Sequence, residues 1–212
     1  MVAAVPLADG ATQQGSSGQT LQTGALSLAS GSTVHAVLGT PGSTALFQVN
    51  GALTLDGQVV VSDLGGYGAG VYRLMNYTGT LVDNGLQVGS QPAGSAVTVQ
   101  TAIANQVNLV NTAGQTLAFW DGGSVSNLNN NRVDGGTGTW TAMGGNWADA
   151  SGALDAPMTP QPGFAVFQGS AGTVTVDNTQ GAVGVNGMQF ATDGYVLQSR
   201  AVGLAAAHCI GP

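Results

Sequence analysis

Apolar and polar residues alternate along this chain in short runs separated by small residues. The runs 45–49, 52–55, 58–61, 71–75, 96–99, 106–110, 116–120, 164–167 and 172–176 each carry Val, Leu or Phe. In most of them these residues alternate with small or polar neighbours. A period of two predicts β-strands with one face buried. Between the runs stand Asn50-Gly51, Asp56-Gly57, Gly65-Gly66 and Asp83-Asn84-Gly85, residue types that tolerate the left-handed backbone of tight turns. No segment sustains a helical period.

Many short strands with regular turns fit a sandwich, a barrel or a solenoid. Two features favour a solenoid. The outward positions are Thr, Ser, Gln and Asn, which stack as ladders on successive coils, and strands of this length joined by small-residue corners match the sides of a coil. No exact repeat length can be read, so the coils are expected to be irregular. The pattern divides the chain into a partial coil or extension at 1–20, β-helix coils over 21–120, a further coiled region over 121–198 and a tail of different character over 199–212. Residues 121–162 are expected to leave the stack as an excursion. They hold Asn127-Leu128-Asn129-Asn130-Asn131, the tryptophans 140 and 147, Asp121, Asp134, Asp149 and Asp155, and prolines 157, 160 and 162.

Charge sharpens this reading. The 212 residues include 35 glycines, ten acids and three bases. Every acid is Asp, every base is Arg (Arg73, Arg132, Arg200), and Glu and Lys are absent. At 6% charged, the chain lies far below the roughly one quarter of an average soluble domain. Glu and Lys are strong helix formers that coat the solvent face of amphipathic helices, so their absence argues against an α-rich fold. A net charge of −7 leaves no basic patch for nucleic acid. No apolar run approaches the roughly 20 residues of a membrane-spanning helix. The 43% hydrophobic content is enough for a buried core and argues against disorder. The single cysteine, Cys209, rules out an internal disulfide. Met-Val-Ala-Ala-Val-Pro has neither the basic start nor the apolar stretch of a signal peptide, and we read Met1 as the start of a fragment.

From Thr116 onward the order of residues becomes specific. Phe119-Trp120-Asp121-Gly122 is followed by Asp134-Gly135-Gly136-Thr137-Gly138-Thr139-Trp140, Gly145-Asn146-Trp147 and Gly163-Phe164-Ala165-Val166-Phe167. Gly172-Thr173-Val174-Thr175-Val176-Asp177 and Gly187-Met188-Gln189-Phe190 come next, and the series closes on Gly194-Tyr195-Val196-Leu197. This series resembles the β-helical passenger region of bacterial autotransporters, with their autotransporter-associated β-strand repeat. The resemblance covers about 116–198 and extends more weakly back to Leu21. It implies an all-β, right-handed single-stranded parallel β-helix, exported through an outer-membrane barrel and folded at the cell surface, with C-terminal coils that support folding of the stack. Trp140 and Trp147 would cover the open side of a coil where the excursion leaves it. Two departures stand out. No translocator barrel follows, and after Gln198 the pattern gives way to an Ala-rich tail with His208 and Cys209, which we read as frameshifted or vector-derived sequence.

The chemistry on offer is sparse. Ala206-Ala207-His208-Cys209 is like the histidine segment of trypsin-like proteases, but no Gly-Asp-Ser-Gly-Gly partner exists. His35 is expected as an outward ring on a strand, with a Ser–His pair left open. No Gly-x-Ser-x-Gly elbow and no nucleotide-binding fingerprint occurs. Asp121 and Asp134, beside the Asn-rich run, supply the hard oxygen ligands that calcium prefers, so Ca2+ is the one cofactor to test. A lyase with Arg73 as its base is weakened by the lack of Lys. The sequence therefore points to a structural or adhesive surface module that presents polar ladders and loops to cell-surface glycans or proteins. The alternative is a hydrolase for a polysaccharide, ester or lactone, with its site on a coil face or on the excursion. Unpaired coil ends are expected to promote self-association.

Overall fold

The computed structural model describes residues 3–200. The His208–Cys209 segment and most of the atypical tail lie outside the described residues. From Val5 onward the chain winds in coils of three strands. β1 (Val5–Leu7), β2 (Thr12–Ser16) and β3 (Leu21–Thr23) form the first coil; β4 (Leu26–Leu28), β5 (Thr33–Leu38) and β6 (Phe47–Val49) form the second. β7 (Leu53–Leu55), β8 (Gln58–Asp63) and β9 (Gly70–Tyr77) form the third, and β10 (Leu81–Asp83) with β11 (Gln87–Val88) begins a fourth. Each strand pairs in parallel with its counterpart one coil on. Of the expected 1–20 partial coil or extension, the described residues 3–20 carry β1 and β2 of a full coil.

Period-two alternation creates the core. Leu26 stands over Leu53, Val34 over Val59 and Phe47 over Met75, and all six are buried in one cluster. Outward positions stack as ladders. Gln22, Gln48 and Asn76 share a column, and Gln58 Nε2 donates to Thr33 Oγ1 across neighbouring coils at 3.1 Å. These neutral polar side chains stack over one another on neighbouring coils, so the outer wall needs few charges. The corners are equally sequence-bound. Gly57 has φ +69°, and a Cβ there would run into the Ser32 and Ala29 carbonyls.

The stack is then interrupted. β12 (Val97–Gln100) and β13 (Gln106–Asn111) form an antiparallel hairpin, and β13 lies antiparallel against β9 where a further parallel coil strand was expected. Alternation positions a strand but does not give its direction, so the sequence predicted both strands and missed the reversal. Five consecutive residues of β13 and the first six of β9 are buried. Such two-sided burial marks a sheet covered on both faces.

A second stack covers the far face. β14 (Leu117–Trp120), β18 (Gly163–Phe167) and β20 (Val185–Phe190) pair in parallel, as do β15 (Gly138–Trp140), β19 (Thr173–Val176) and β21 (Val196–Ser199). The short β16 (Trp147–Ala148) and β17 (Asp155–Ala156) lie antiparallel on the other edge of β14. The expected 121–162 excursion is therefore two loops separated by the coil strand β15. Trp140 is buried inside a coil rather than covering an open side; Trp147, on β16, packs edge-on against it with centroids 4.8 Å apart. The coiled architecture is an all-β solenoid. Its only helical turn among the described residues is the 3-10 turn Asn178–Gln180.

The two stacks meet across β9 and β13. Val71 and Val110 pack with Phe119 and Val166. The Gln189 side chain pairs with the backbone of Val71, accepting its N–H at 2.7 Å and donating to its carbonyl at 2.8 Å. Nearby, Gln100 Oε1 accepts from both Asn108 and Gln168. Arg73, the residue considered as a lyase base, is buried here. It donates to Asn108 Oδ1 at 2.7 Å, Asn76 Oδ1 at 2.9 Å and the Ala191 carbonyl at 3.5 Å, all neutral acceptors. Burial lowers its pKa to about 10.

Candidate functional site

The hairpin and the two excursion loops enclose a cleft of about 610 Å³, within the size range of small-ligand sites. One wall is β12 and the residues after it, with Thr98, Val99 and Thr101; the other carries Asn131, Asp149 and Ser151. Gln100 fastens the walls from below by donating to the Ala150 carbonyl at 2.8 Å. The second wall is locally rigid. Asp149 Oδ1 accepts from the Ser151 N–H at 2.9 Å and hydroxyl at 2.7 Å. Asn131 N–H donates to the Gly152 carbonyl at 2.9 Å. Gly152 sits at φ +68°, where any Cβ would collide with the Arg132 backbone.

An acidic cluster lies in these same excursion loops. Asp121, 1% exposed, accepts the Asp134 N–H through Oδ1 at 2.5 Å. The Asn-rich run is wired into the same cluster: Asn127 donates to the Asp121 carbonyl at 2.8 Å, and Asn129 exchanges two hydrogen bonds with Asp155. Asp121 Oδ2 and Asp155 Oδ1 are both buried and lack a hydrogen-bond partner of the ordinary kind. Burial pushes the Asp121 carboxyl up to about 7, and the neighbouring charges of Asp155 and Asp134 add to the rise, against the lowering effect of the Asp134 and Gly135 N–H groups. Burial raises Asp155 as well.

The expected calcium ligands Asp121 and Asp134 are therefore neighbours, joined through the Asp134 backbone rather than by facing carboxylates. Both Asp134 oxygens are engaged, one by Asn130 Nδ2 at 2.6 Å and the other by Arg132 Nε at 3.1 Å. Among the described residues no group of three or more His, Cys, Asp or Glu is arranged to hold a metal ion. Asp155 is the partner that sequence reasoning missed. It lies 34 positions from Asp121, and no periodic signal links the two.

His35 projects from the outer side of β5 and meets Ser62, with Nε2 and Oγ 2.8 Å apart. The open Ser–His pairing is thus realised, yet among the described residues no carboxylate is hydrogen-bonded to this ring. A nucleophilic triad needs that third group to orient its base. The third arginine, Arg200, closes the end of β21 by pairing with Asp177 at 2.5 Å. Hydrogen bonds from Thr179, and after them the Arg200 pair, hold the Asp177 carboxyl below its ordinary range.

The chain is 46% identical over 171 residues to the adhesin BmaC autotransporter of Brucella suis biovar 1 (strain 1330). The alignment covers 76% of this chain and 5% of that much longer protein. No protein-family model matches the chain, and no solved structure does.

Proposed function

The chain is a stretch of autotransporter sequence folded as a β-solenoid, and from that premise we propose that it is an adhesive and structural module of a cell-surface passenger. The observation that carries this reading is the match to a protein named an adhesin, joined to a wall built of stacked Thr, Gln and Asn side chains. Such a wall resists unfolding outside the cell without a dense charge lattice, and it displays the hairpin and excursion loops at fixed positions. Export through an outer-membrane translocator and contact with surface glycans or proteins belong to the same proposal. No helix of the described residues is long and apolar enough to cross a membrane. The match to an adhesin favours binding over hydrolysis.

Display of the 212 residues on a non-adherent bacterium tests the proposal. Attachment to cultured cells or to matrix-coated surfaces is expected to rise above that of the undisplayed strain, and to survive His35→Ala with Ser62→Ala. Background attachment, together with ester or glycoside turnover abolished by the same two substitutions, would establish the hydrolase instead.

A further inference from the structure

We propose that the cleft beside β12 binds an extended, non-acidic peptide segment by strand addition, so that the partner becomes a sixth strand on the β12-β13-β9-β6-β3 sheet. The inference deepens the adhesive reading by naming the class of partner and its seat, and it rests on that reading only for the biological context.

The argument begins with which backbone groups β13 has already used. β12 is the edge strand of its sheet. In the antiparallel register Thr98 faces Val110 and Gln100 faces Asn108, and just outside the ladder the Thr112 N–H donates to the Ala96 carbonyl. Hydrogen-bonded pairs alternate in such a ladder, so residues 96, 98 and 100 direct their backbone groups at β13. Residues 97 and 99 then direct theirs off the edge of the sheet. The side chains report the same phase. The Val97 N–H is taken by Gln91 Oε1 at 2.9 Å, which sits where the carbonyl of an added strand would stand. At Val99 no side chain makes the equivalent contact among the described residues, and Val99 lines the cleft.

An unpaired strand edge is a template for another strand, and main-chain pairing at such an edge is a recurrent mode of peptide recognition. Most edges are protected by charge, by proline or by a covering loop. Here the edge is covered at Val97 by Gln91 and contacted at Thr101 by Asp83, which leaves Val99 between them beside the cleft whose other wall carries Asn131 and Ser151. Asp149 lines the cleft and Asp83 meets the same strand at Thr101, with no basic side chain lining the cleft, so a neutral or basic segment fits and an acidic one is repelled.

The experiment pans a displayed heptapeptide library against the whole chain. Val99→Pro removes the outward N–H and leaves the ladder bonds of Thr98 and Gln100 in place, because proline is tolerated where an edge N–H faces outward. Val99→Ala keeps the N–H and trims only the side chain. Enriched peptides are expected to bind wild type and Val99→Ala alike, to bind Val99→Pro roughly tenfold or more weakly, and to slow Val99 amide hydrogen exchange. Ser151→Trp, which fills the cleft from the opposite wall, is expected to block binding and keeps the test decisive should Val99→Pro fold poorly. Peptides that bind Val99→Pro and Ser151→Trp as well as wild type, or a library that yields none, would overturn the proposal. Surface attachment by Val99→Pro at the wild-type level would remove this cleft from adhesion and leave the adhesive reading standing.

Discussion

Asp121 Oδ2 and Asp155 Oδ1 are both buried with no hydrogen-bond partner among the described residues, and the two side chains interact. One proton held between them meets a need that two carboxylates would leave open. The flanking groups offer little alternative. Asp134 is a third negative charge whose oxygens are occupied by Asn130 and Arg132, Asp149 adds its charge on the Asp155 side, and Tyr195 is itself pushed up to about 12 by burial. In the unfolded chain Asp121 loses its proton near 3.8, whereas folded it keeps the proton up to about 7. Between those values the unfolded state releases a proton that the folded state retains, so stability falls as pH rises from about 4 to about 7 and levels off above. The drop is on the order of a few kcal/mol. Asp121→Asn keeps the acceptor for the Asp134 N–H and gives Asp155 a permanent donor. It is expected to melt above wild type at pH 8 and to flatten the profile, measured as Tm from pH 5 to 8. Millimolar calcium at pH 8 is expected to leave the wild-type Tm unchanged; a rise that Asp121→Asn abolishes would show that a cation fills the gap. Sequence patterning singled out Asp121 and Asp134 because hard oxygens were concentrated there. It could not single out Asp155, whose contact is made by the return of a loop.

At the scale of the element, the sequence located strands well and their pairing poorly, for a physical reason. Runs such as 58–61 and 106–110 look alike as alternating patterns, yet β8 stacks in parallel while β13 turns back. Direction is decided by the residues between strands and by what covers the second face. Turn glycines were the more legible signal. Gly57→Ala forces a Cβ into the Ser32 and Ala29 carbonyls at a positive φ, and it is expected to cost roughly 2 kcal/mol or more, read as a lower denaturation midpoint. The join between the stacks left no comparable trace, since Gln189 acts 118 positions away from its partner. In Gln189→Ala the Val71 carbonyl keeps the Gly42 N–H at 3.2 Å, but the Val71 N–H is orphaned, at a cost of roughly 1–3 kcal/mol. Hydrogen exchange is expected to speed up first in β18 and β20, while β4 and β7 stay protected; equal loss across both stacks would mean that they unfold as one unit.

For the molecule as a whole, the solenoid expectation followed from outward Thr, Ser, Gln and Asn and from short strands joined by small-residue corners, while the absence of Lys and Glu argued against helices. The consequence lies at the end of the second stack. Phe190 stacks on Phe167 with centroids 4.9 Å apart and planes 14° from parallel, yet remains 47% exposed, beside Met188 at 37% and Val196 at 51%. Among the described residues nothing pairs beyond β20 and β21. The last of the described coils thus presents apolar side chains together with backbone that no described strand pairs, the two features that make a strand edge associate. Two copies of the 212-residue chain are expected to meet through this end, with sedimentation showing a dimer that dissociates on dilution. Phe190→Ser with Val196→Lys is expected to give a monomer at all concentrations without lowering the stability of the first stack. Those substitutions change only one end, so a dimer that persists in the double variant would place the contact elsewhere, with the β12 edge as the next surface to block.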